Sequence, residues 1–124
     1  DISNLPNSVN IVYDSDALIA TSHNLFIDIE SRKLYSTNGD VLDVSNPINP
    51  QFLFHMGFSS HDMWVENDTG YFNCTSNGLQ VYEMTTNTPQ FITSLTSYPQ
   101  QGTNHSGWKI DDTYVFADEN HGLS

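Results

Sequence analysis

The distribution of apolar and polar residues along the chain predicts short β-strands and almost no helix. No stretch repeats apolar residues with the 3.6-residue period of a helix, and β-branched and aromatic residues dominate the apolar runs. Turns rich in Asn, Gly and Pro separate these runs. The predicted strands lie near residues 9–13, 24–29, 33–37, 40–44, 51–56, 62–66, 70–74, 79–83, 90–95, 106–110 and 113–117.

One order of features occurs three times along the chain. A small polar residue and a His precede an aromatic-centred strand at 22–28, 60–66 and 104–111, and a second strand then leads to a Gly. The distance from each His to its Gly is 16 or 17 residues, whereas successive His residues lie 38 and 44 residues apart. A unit of about 40 residues with four short strands is typical of a β-propeller blade.

These units predict an all-β fold, a single partial β-propeller domain over residues 1–124. We expect residues 1–22 to end a preceding blade, 23–60 and 61–104 to form two full blades, and 105–124 to begin a truncated one. A propeller needs about four blades to close. We therefore expect the remaining propeller blades to come from the full-length chain or from other protomers.

Charge restricts the classes of partner. The chain has 15 acidic and 3 basic residues, a net charge of −12 with His neutral. So few basic residues cannot neutralise a run of phosphates, so we expect no nucleic acid partner and no anionic membrane partner. No apolar run is long enough to cross a bilayer, and residues 1–3 start neither a positively charged nor an apolar region. We therefore expect no membrane insertion and no retained signal peptide. The acidic composition suits an extracellular or periplasmic protein and divalent cations.

Several short sequence motifs, here called sequence words, occur in the order found in a known propeller family. They are His-Asn-Leu-Phe-Ile-Asp, Asp-Val-Ser-Asn-Pro, His-Asp-Met-Trp-Val-Glu, Asn-His-Ser-Gly-Trp and Ala-Asp-Glu-Asn-His-Gly. On these words the chain resembles the LVIVD-repeat propellers, also called the choice-of-anchor B family, over essentially all of its length. The resemblance implies a secreted or surface-anchored bacterial protein with a propeller fold and no well-defined activity. In one unit, residues 82–86 depart from the family's Asp-x-Ser-Asn-Pro word.

The recurring His residues are the candidate ligand-binding groups. In a propeller, the loops that enter the innermost strands share one rim of the channel with the loops that join second and third strands. We therefore expect His23, His61 and His105 at one channel mouth, near the loops of Asn38 and Asn77. The further candidate ligands on this rim are His121, Asp62, Asp118 and Glu119. Imidazole and carboxylate groups bind Zn, Mn, Fe, Ni or Cu, and Ca stays open as a further cation.

Structural roles without ligand binding also stay open for these residues. A His that recurs at one blade position can cap a turn or bind a neighbouring carbonyl. His55 falls late in a fourth strand, where we expect it to lie far from the rim and to have no role. Trp64 and Trp108 are expected to pack between blades, and Cys74 to be a buried apolar residue in a strand.

The favoured function is a secreted or cell-surface β-propeller module that binds an unknown ligand or surface partner, with a metal or ligand site at the His rim. One alternative is a metal-dependent hydrolase or oxidase in which an open coordination position admits water or substrate. The other is a purely structural scaffold, in which the imidazoles bond to the backbone. The sequence names no catalytic residue.

Overall fold

The computed structural model describes residues 1–119, and all regular structure in this range is β-strand. Each strand lies within three residues of one predicted from the sequence, so the all-β prediction is confirmed. Within these residues no helix is long and apolar enough to cross a bilayer. The strands are β1 (Leu25–Asp28), β2 (Lys33–Ser36), β3 (Asp40–Asp43), β4 (Gln51–His55), β5 (Asp62–Glu66), β6 (Thr69–Asn73), β7 (Leu79–Glu83), β8 (Gln90–Leu95), β9 (Thr103–Ile110) and β10 (Thr113–Glu119).

The strands form two four-stranded antiparallel sheets and one hairpin. The first sheet has the order β1-β2-β3-β4, the second has the order β5-β6-β7-β8, and β9 pairs with β10 in the hairpin. Both sheets have a register shift at their last pair of strands, between Val41 and Leu42 in the first and between Val81 and Tyr82 in the second. Strand β5 lies against both β1 and β9, and the described sheets do not close into a ring.

Two glycines shape the loops that follow the second strand of each sheet. Gly39 has a φ of 101° and Gly78 a φ of 71°, in the left-handed region that favours glycine. A Cβ at Gly39 would overlap the carbonyl oxygen of Phe58, and one at Gly78 would overlap that of Leu95. Each loop can therefore lie directly against the segment at the end of its own fourth strand only because the side chain is absent.

The main core lies between the two four-stranded sheets. Phe58, in the connection from β4 to β5, inserts here with its ring centroid 5.1 Å from that of Phe72 and 4.5 Å from that of Tyr82. Cys74 is buried in the same cluster, as expected from the sequence, but it follows β6 instead of lying within a strand. The buried apolar members are Tyr35, Val41, Phe54, Met56, Met63, Val65, Phe72, Cys74 and Met84.

The hairpin packs on the opposite face of the second sheet. Successive residues of a strand point to opposite faces, so Phe72 faces the main core while Tyr71 faces the hairpin. Tyr71 stacks on Tyr114 with ring centroids 4.8 Å apart, and Asn73 Nδ2 donates a 2.8 Å hydrogen bond to the Tyr114 hydroxyl. The second sheet therefore has a packing partner on each face, although every residue of its outer strand β8 is exposed.

The strand predicted at 9–13 is absent, and that prediction was wrong. Residues 9–13 have no regular structure and are largely exposed, and the Asn10 amide donates to the Asp1 carbonyl at 2.9 Å. An apolar alternating segment becomes a strand only when a neighbouring strand accepts its backbone hydrogen bonds. Within residues 1–119 no strand pairs with this segment.

Candidate functional site

Three imidazoles lie side by side where the innermost strands begin. The ring centroids of His23 and His61 are 4.3 Å apart, and those of His61 and His105 are 4.0 Å apart. His23 and His61 precede β1 and β5, whereas His105 lies within β9 at a register irregularity opposite Ala117 and Asp118. The structure therefore brings together the three His residues that the sequence singles out. We call these three rings the imidazole row.

The backbone around the first two His residues explains why their rings align. The His23 amide donates to the Thr37 hydroxyl at 3.0 Å, and the His61 amide donates to the Asn73 carbonyl at 2.7 Å. Thr37 directly follows β2 of the first sheet, and Asn73 is the last residue of β6, the corresponding strand of the second sheet. Both residues are fully buried. Each His is thus tied to the same part of its own sheet.

The partners of the rings determine which nitrogens are free. His61 Nδ1 lies 3.0 Å from the His105 carbonyl oxygen, and because a carbonyl only accepts, Nδ1 carries the proton. When the ring is neutral, its Nε2 therefore holds a lone pair. His105 Nε2 lies 3.4 Å from Glu119 Oε1. The His23 side chain is exposed, and within residues 1–119 no hydrogen bond to its ring is found.

His23 and His61 line a small pocket between the first and second sheets, which we call the rim pocket. Its volume is about 240 Å³. The loops of Asn38 and Asn77 reach it, as expected from their equivalent positions after the second strands. The remaining lining residues are Thr37, Ser59, Ser60, Cys74 and Thr75. Imidazole, amide and hydroxyl groups therefore dominate the pocket.

Two features of the pocket were not foreseen from the sequence. Ser59 and Ser60 lie in the connection before β5, where only their proximity to His61 could have suggested a role. The Ser60 hydroxyl is buried and has no hydrogen-bond partner within the described part of the chain. Cys74 also lines the pocket, but burial raises the pKa of its thiol to about 11, so the thiol stays protonated at neutral pH.

His55 has a structural role that the sequence did not suggest. Its Nδ1 accepts from the Gly57 amide at 2.9 Å, so Nε2 carries the proton and donates to the Asn38 carbonyl at 3.0 Å. This ring therefore holds the Asn38 loop against the end of β4. The expectation that His55 lies far from the rim and does nothing was wrong, because the loop that it fixes lines the rim pocket.

The candidate carboxylates mostly have other partners. Asp62 accepts a 2.7 Å hydrogen bond from Asn24 Nδ2, and Asp118 accepts from the Tyr98 hydroxyl and, at 2.8 Å, from the Gly102 amide. Glu119 lies beside His105, at the far end of the row from His23.

His121 lies outside the described residues. Among residues 1–119 no group of three or more His, Cys, Asp or Glu residues has the arrangement of a metal site. Of the predicted ligands within residues 1–119, His23 and His61 line the rim pocket.

An aromatic row accompanies the imidazole row three residues further along the innermost strands. Phe26 lies 5.2 Å from Trp64, and Trp64 lies 4.5 Å from Trp108, between ring centroids. The three residues are equally far from the turn that ends their own strand. Pairing of their strands with β2, β6 and β10 fixes this common position. These rings pack between neighbouring innermost strands, although Trp108 remains 62% exposed.

Comparisons with known proteins add no relative. No family model, curated protein or solved structure matches this chain. The resemblance to the LVIVD-repeat propellers therefore stays a prediction from the sequence words.

Proposed function

We propose that this chain is part of a β-propeller-type binding module and that it binds a divalent transition-metal ion in the rim pocket. The observation that carries the proposal is the contact between the His23 and His61 rings, 4.3 Å apart between centroids, at a polar pocket formed by loops of two neighbouring sheets. The meander sheets with adjoining innermost strands support the propeller interpretation.

The chemistry of the pocket favours a cation of the zinc, nickel or copper class. Neutral imidazole nitrogen is a ligand that these ions prefer. Water molecules, held by the hydroxyl and amide oxygens of the pocket, would fill the remaining coordination positions of the ion. The net charge of −12 attracts cations to the surface as a whole. Loaded with such an ion, the pocket would recognise a carboxylate or another anionic group of a partner.

The resemblance to surface-anchored propellers supports a location outside the cytoplasm. The alternative of a metal-dependent hydrolase or oxidase stays a prediction, as does the partner on the cell surface.

The metal proposal is tested by titrating the protein with Zn²⁺, Ni²⁺ and Cu²⁺ in an isothermal calorimeter. We expect one ion per chain, and we expect His61→Ala and His23→Ala each to weaken binding by roughly tenfold or more, equivalent to at least about 1.4 kcal/mol. The matched control is His55→Gln, which removes an imidazole outside the pocket while the amide can still donate to the Asn38 carbonyl. Equal binding by all four proteins, or no stoichiometric binding by the native chain, would contradict the proposal.

A structural role for the imidazole row is the second candidate, and one observation favours it. The His61 Nδ1 bond to the His105 carbonyl joins the second sheet to the hairpin. If this bond is the whole role of the row, no ion binds and His61→Ala lowers the thermal unfolding midpoint. His23→Ala leaves the midpoint unchanged, because it breaks no ring hydrogen bond found within residues 1–119.

A further inference from the structure

Strand pairing divides each sheet into two faces. We call the face of the first sheet that carries Ile27, Leu34, Leu42 and Phe52 its leading face, and the face that carries Phe26, Tyr35, Val41 and Phe54 its trailing face. The corresponding rows of the second sheet are Val65, Gly70, Tyr82 and Phe91 on the leading face and Trp64, Tyr71, Val81 and Thr93 on the trailing face. In the hairpin, Lys109 and Tyr114 are leading, and Trp108 and Val115 are trailing.

The chain makes one kind of junction twice. The trailing face of the first sheet packs on the leading face of the second, where Tyr35 and Val41 share a core cluster with Val65. The trailing face of the second sheet then packs on the leading face of the hairpin, where Tyr71 stacks on Tyr114. In both junctions a trailing face meets a leading face, so the order of the faces is head-to-tail.

Within residues 1–119, one face of each kind has no partner sheet. On the leading face of the first sheet, Ile27 is 52% exposed and Phe52 is 49% exposed. On the trailing face of the hairpin, Val115 is 55% exposed and Trp108 is more exposed still. These four exposed residues are all apolar, so each of the two faces presents large apolar side chains to solvent.

The leading face already has the form of a receiving groove. A cleft of about 930 Å³ runs between this face and the segment before β1. Leu34 and Leu42 form its floor, and Leu18 and Ile19 of the segment form part of its wall. In the internal junction the connection before β5 contributes Phe58 at the corresponding place. The groove therefore resembles one half of an internal junction without its partner sheet.

We propose that a second copy of this chain occupies the groove, with the trailing face of its hairpin packed on the leading face of the first sheet. Each copy carries both halves of a junction that the chain itself forms twice, so two copies are complementary without any new kind of contact. Such an interface is heterologous, and repeated rotation about it gives a closed ring or an open filament. Because each chain has a charge of −12, moderate salt should strengthen the association.

The experiment is sedimentation velocity of the native chain and of two single variants over a wide range of concentrations. Ile27→Asp places a charge on the leading face, and Trp108→Asp places one on the trailing face. We expect the native chain to associate in a concentration-dependent manner, and each variant alone to sediment as a monomer. An equimolar mixture of the two variants should form a one-to-one dimer and nothing larger, since one intact face of each kind remains.

The control variant is Ile29→Asp, because Ile29 is 83% exposed and lies in the turn after β1, outside the strand pairs that define the two faces. It should associate like the native chain. Circular dichroism checks that each variant is folded, and Val115→Asp replaces Trp108→Asp if the loss of the Trp64 contact unfolds the hairpin.

Three results would overturn the proposal. A native chain that stays monomeric at every concentration would mean that another unit covers these faces. A monomeric mixture of the two variants would exclude complementary faces. Dimers of Trp108→Asp alone would indicate that like faces pair. The rim pocket lies within one chain, so the metal titration of a monomeric variant tests the proposed function independently.

Discussion

The two internal junctions of this protein join sheet faces in the same order but differ in chemistry. The junction between the two four-stranded sheets has a buried apolar cluster in which Phe72 is fully buried, with the Asn24–Asp62 hydrogen bond beside it. The junction between the second sheet and the hairpin depends on polar aromatic contacts, with Asn73 donating to the Tyr114 hydroxyl at 2.8 Å. Lys109 adds an ion pair with Glu66 at 2.7 Å. Burial of apolar area is therefore the main stabilising contribution at the first junction, whereas the second relies more on stacked tyrosine rings and the buried hydrogen bond of Asn73.

The largest expected effect comes from removing the central ring of the first junction. Phe72→Ala should lower the free energy of unfolding by about 3–5 kcal/mol, the usual cost of deleting a fully buried Phe. Urea unfolding followed by circular dichroism measures this loss. Phe91→Ala is the control, since Phe91 is largely exposed at the outer edge of the second sheet and its loss should cost much less. Similar losses in the two variants would show that the first junction is not a packed core.

A smaller effect is expected from the second junction. Tyr114→Phe keeps the ring stacked on Tyr71 but deprives Asn73 Nδ2 of its acceptor, and because Asn73 is fully buried the amide is left unpaired. The cost should be about 1–3 kcal/mol, in the same urea experiment. Tyr13→Phe is the matched control at an exposed site outside both junctions. A loss equal to that of Phe72→Ala would contradict the distinction between the junctions.

The smallest effect is a loss of stability in moderately alkaline solution. Burial raises the pKa of Tyr35 and of Tyr114 to about 12, from an ordinary value of 10.0. A raised pKa favours the protonated folded state, so this stabilisation is complete below about pH 10 and is lost as the pH rises towards 12. By about pH 10.5 each Tyr should cost on the order of 1 kcal/mol or less.

Urea midpoints measured at neutral pH and near pH 10.5 test this expectation. Tyr114→Phe should show a smaller decrease than the native chain, because one of the two titrating groups is gone while Tyr35 remains. Equal decreases in the two proteins would mean that Tyr114 titrates at its ordinary pKa and is not protected by the hairpin junction.

Much of the local structure followed from the sequence because its causes are local. Alternating β-branched and aromatic residues specify strands, and Gly39 and Gly78 specify the loops that only a residue without a Cβ can form. The common position of the His residues at the start of innermost strands, with its regular spacing along the chain, predicted that their rings would share one level. That spacing works because each His is tied to its own sheet by backbone contacts of neighbouring strands.

The partners of the candidate side chains did not follow from the sequence. Asp118 was a candidate ligand, yet Tyr98, in the connection before β9, occupies one of its oxygens. His55 was predicted to have no role, yet its Nε2 donates a hydrogen bond to the Asn38 carbonyl and fixes that loop. These contacts join residues far apart in the chain, and no spacing rule gives the direction of a side chain across such a distance.

The sequence by itself determined where the ten strands of residues 1–119 lie to within three residues, which residues share a level across the sheets, and that the chain is strongly acidic. The tertiary structure decided that residues 9–13 are not a strand, that His23 and His61 share a pocket which His105 does not line, and which sheet faces stay uncovered. The physical reason is that strand propensity and turn geometry act between near neighbours in the chain. Hydrogen-bond partners and burial depend on which segments the folded chain brings together.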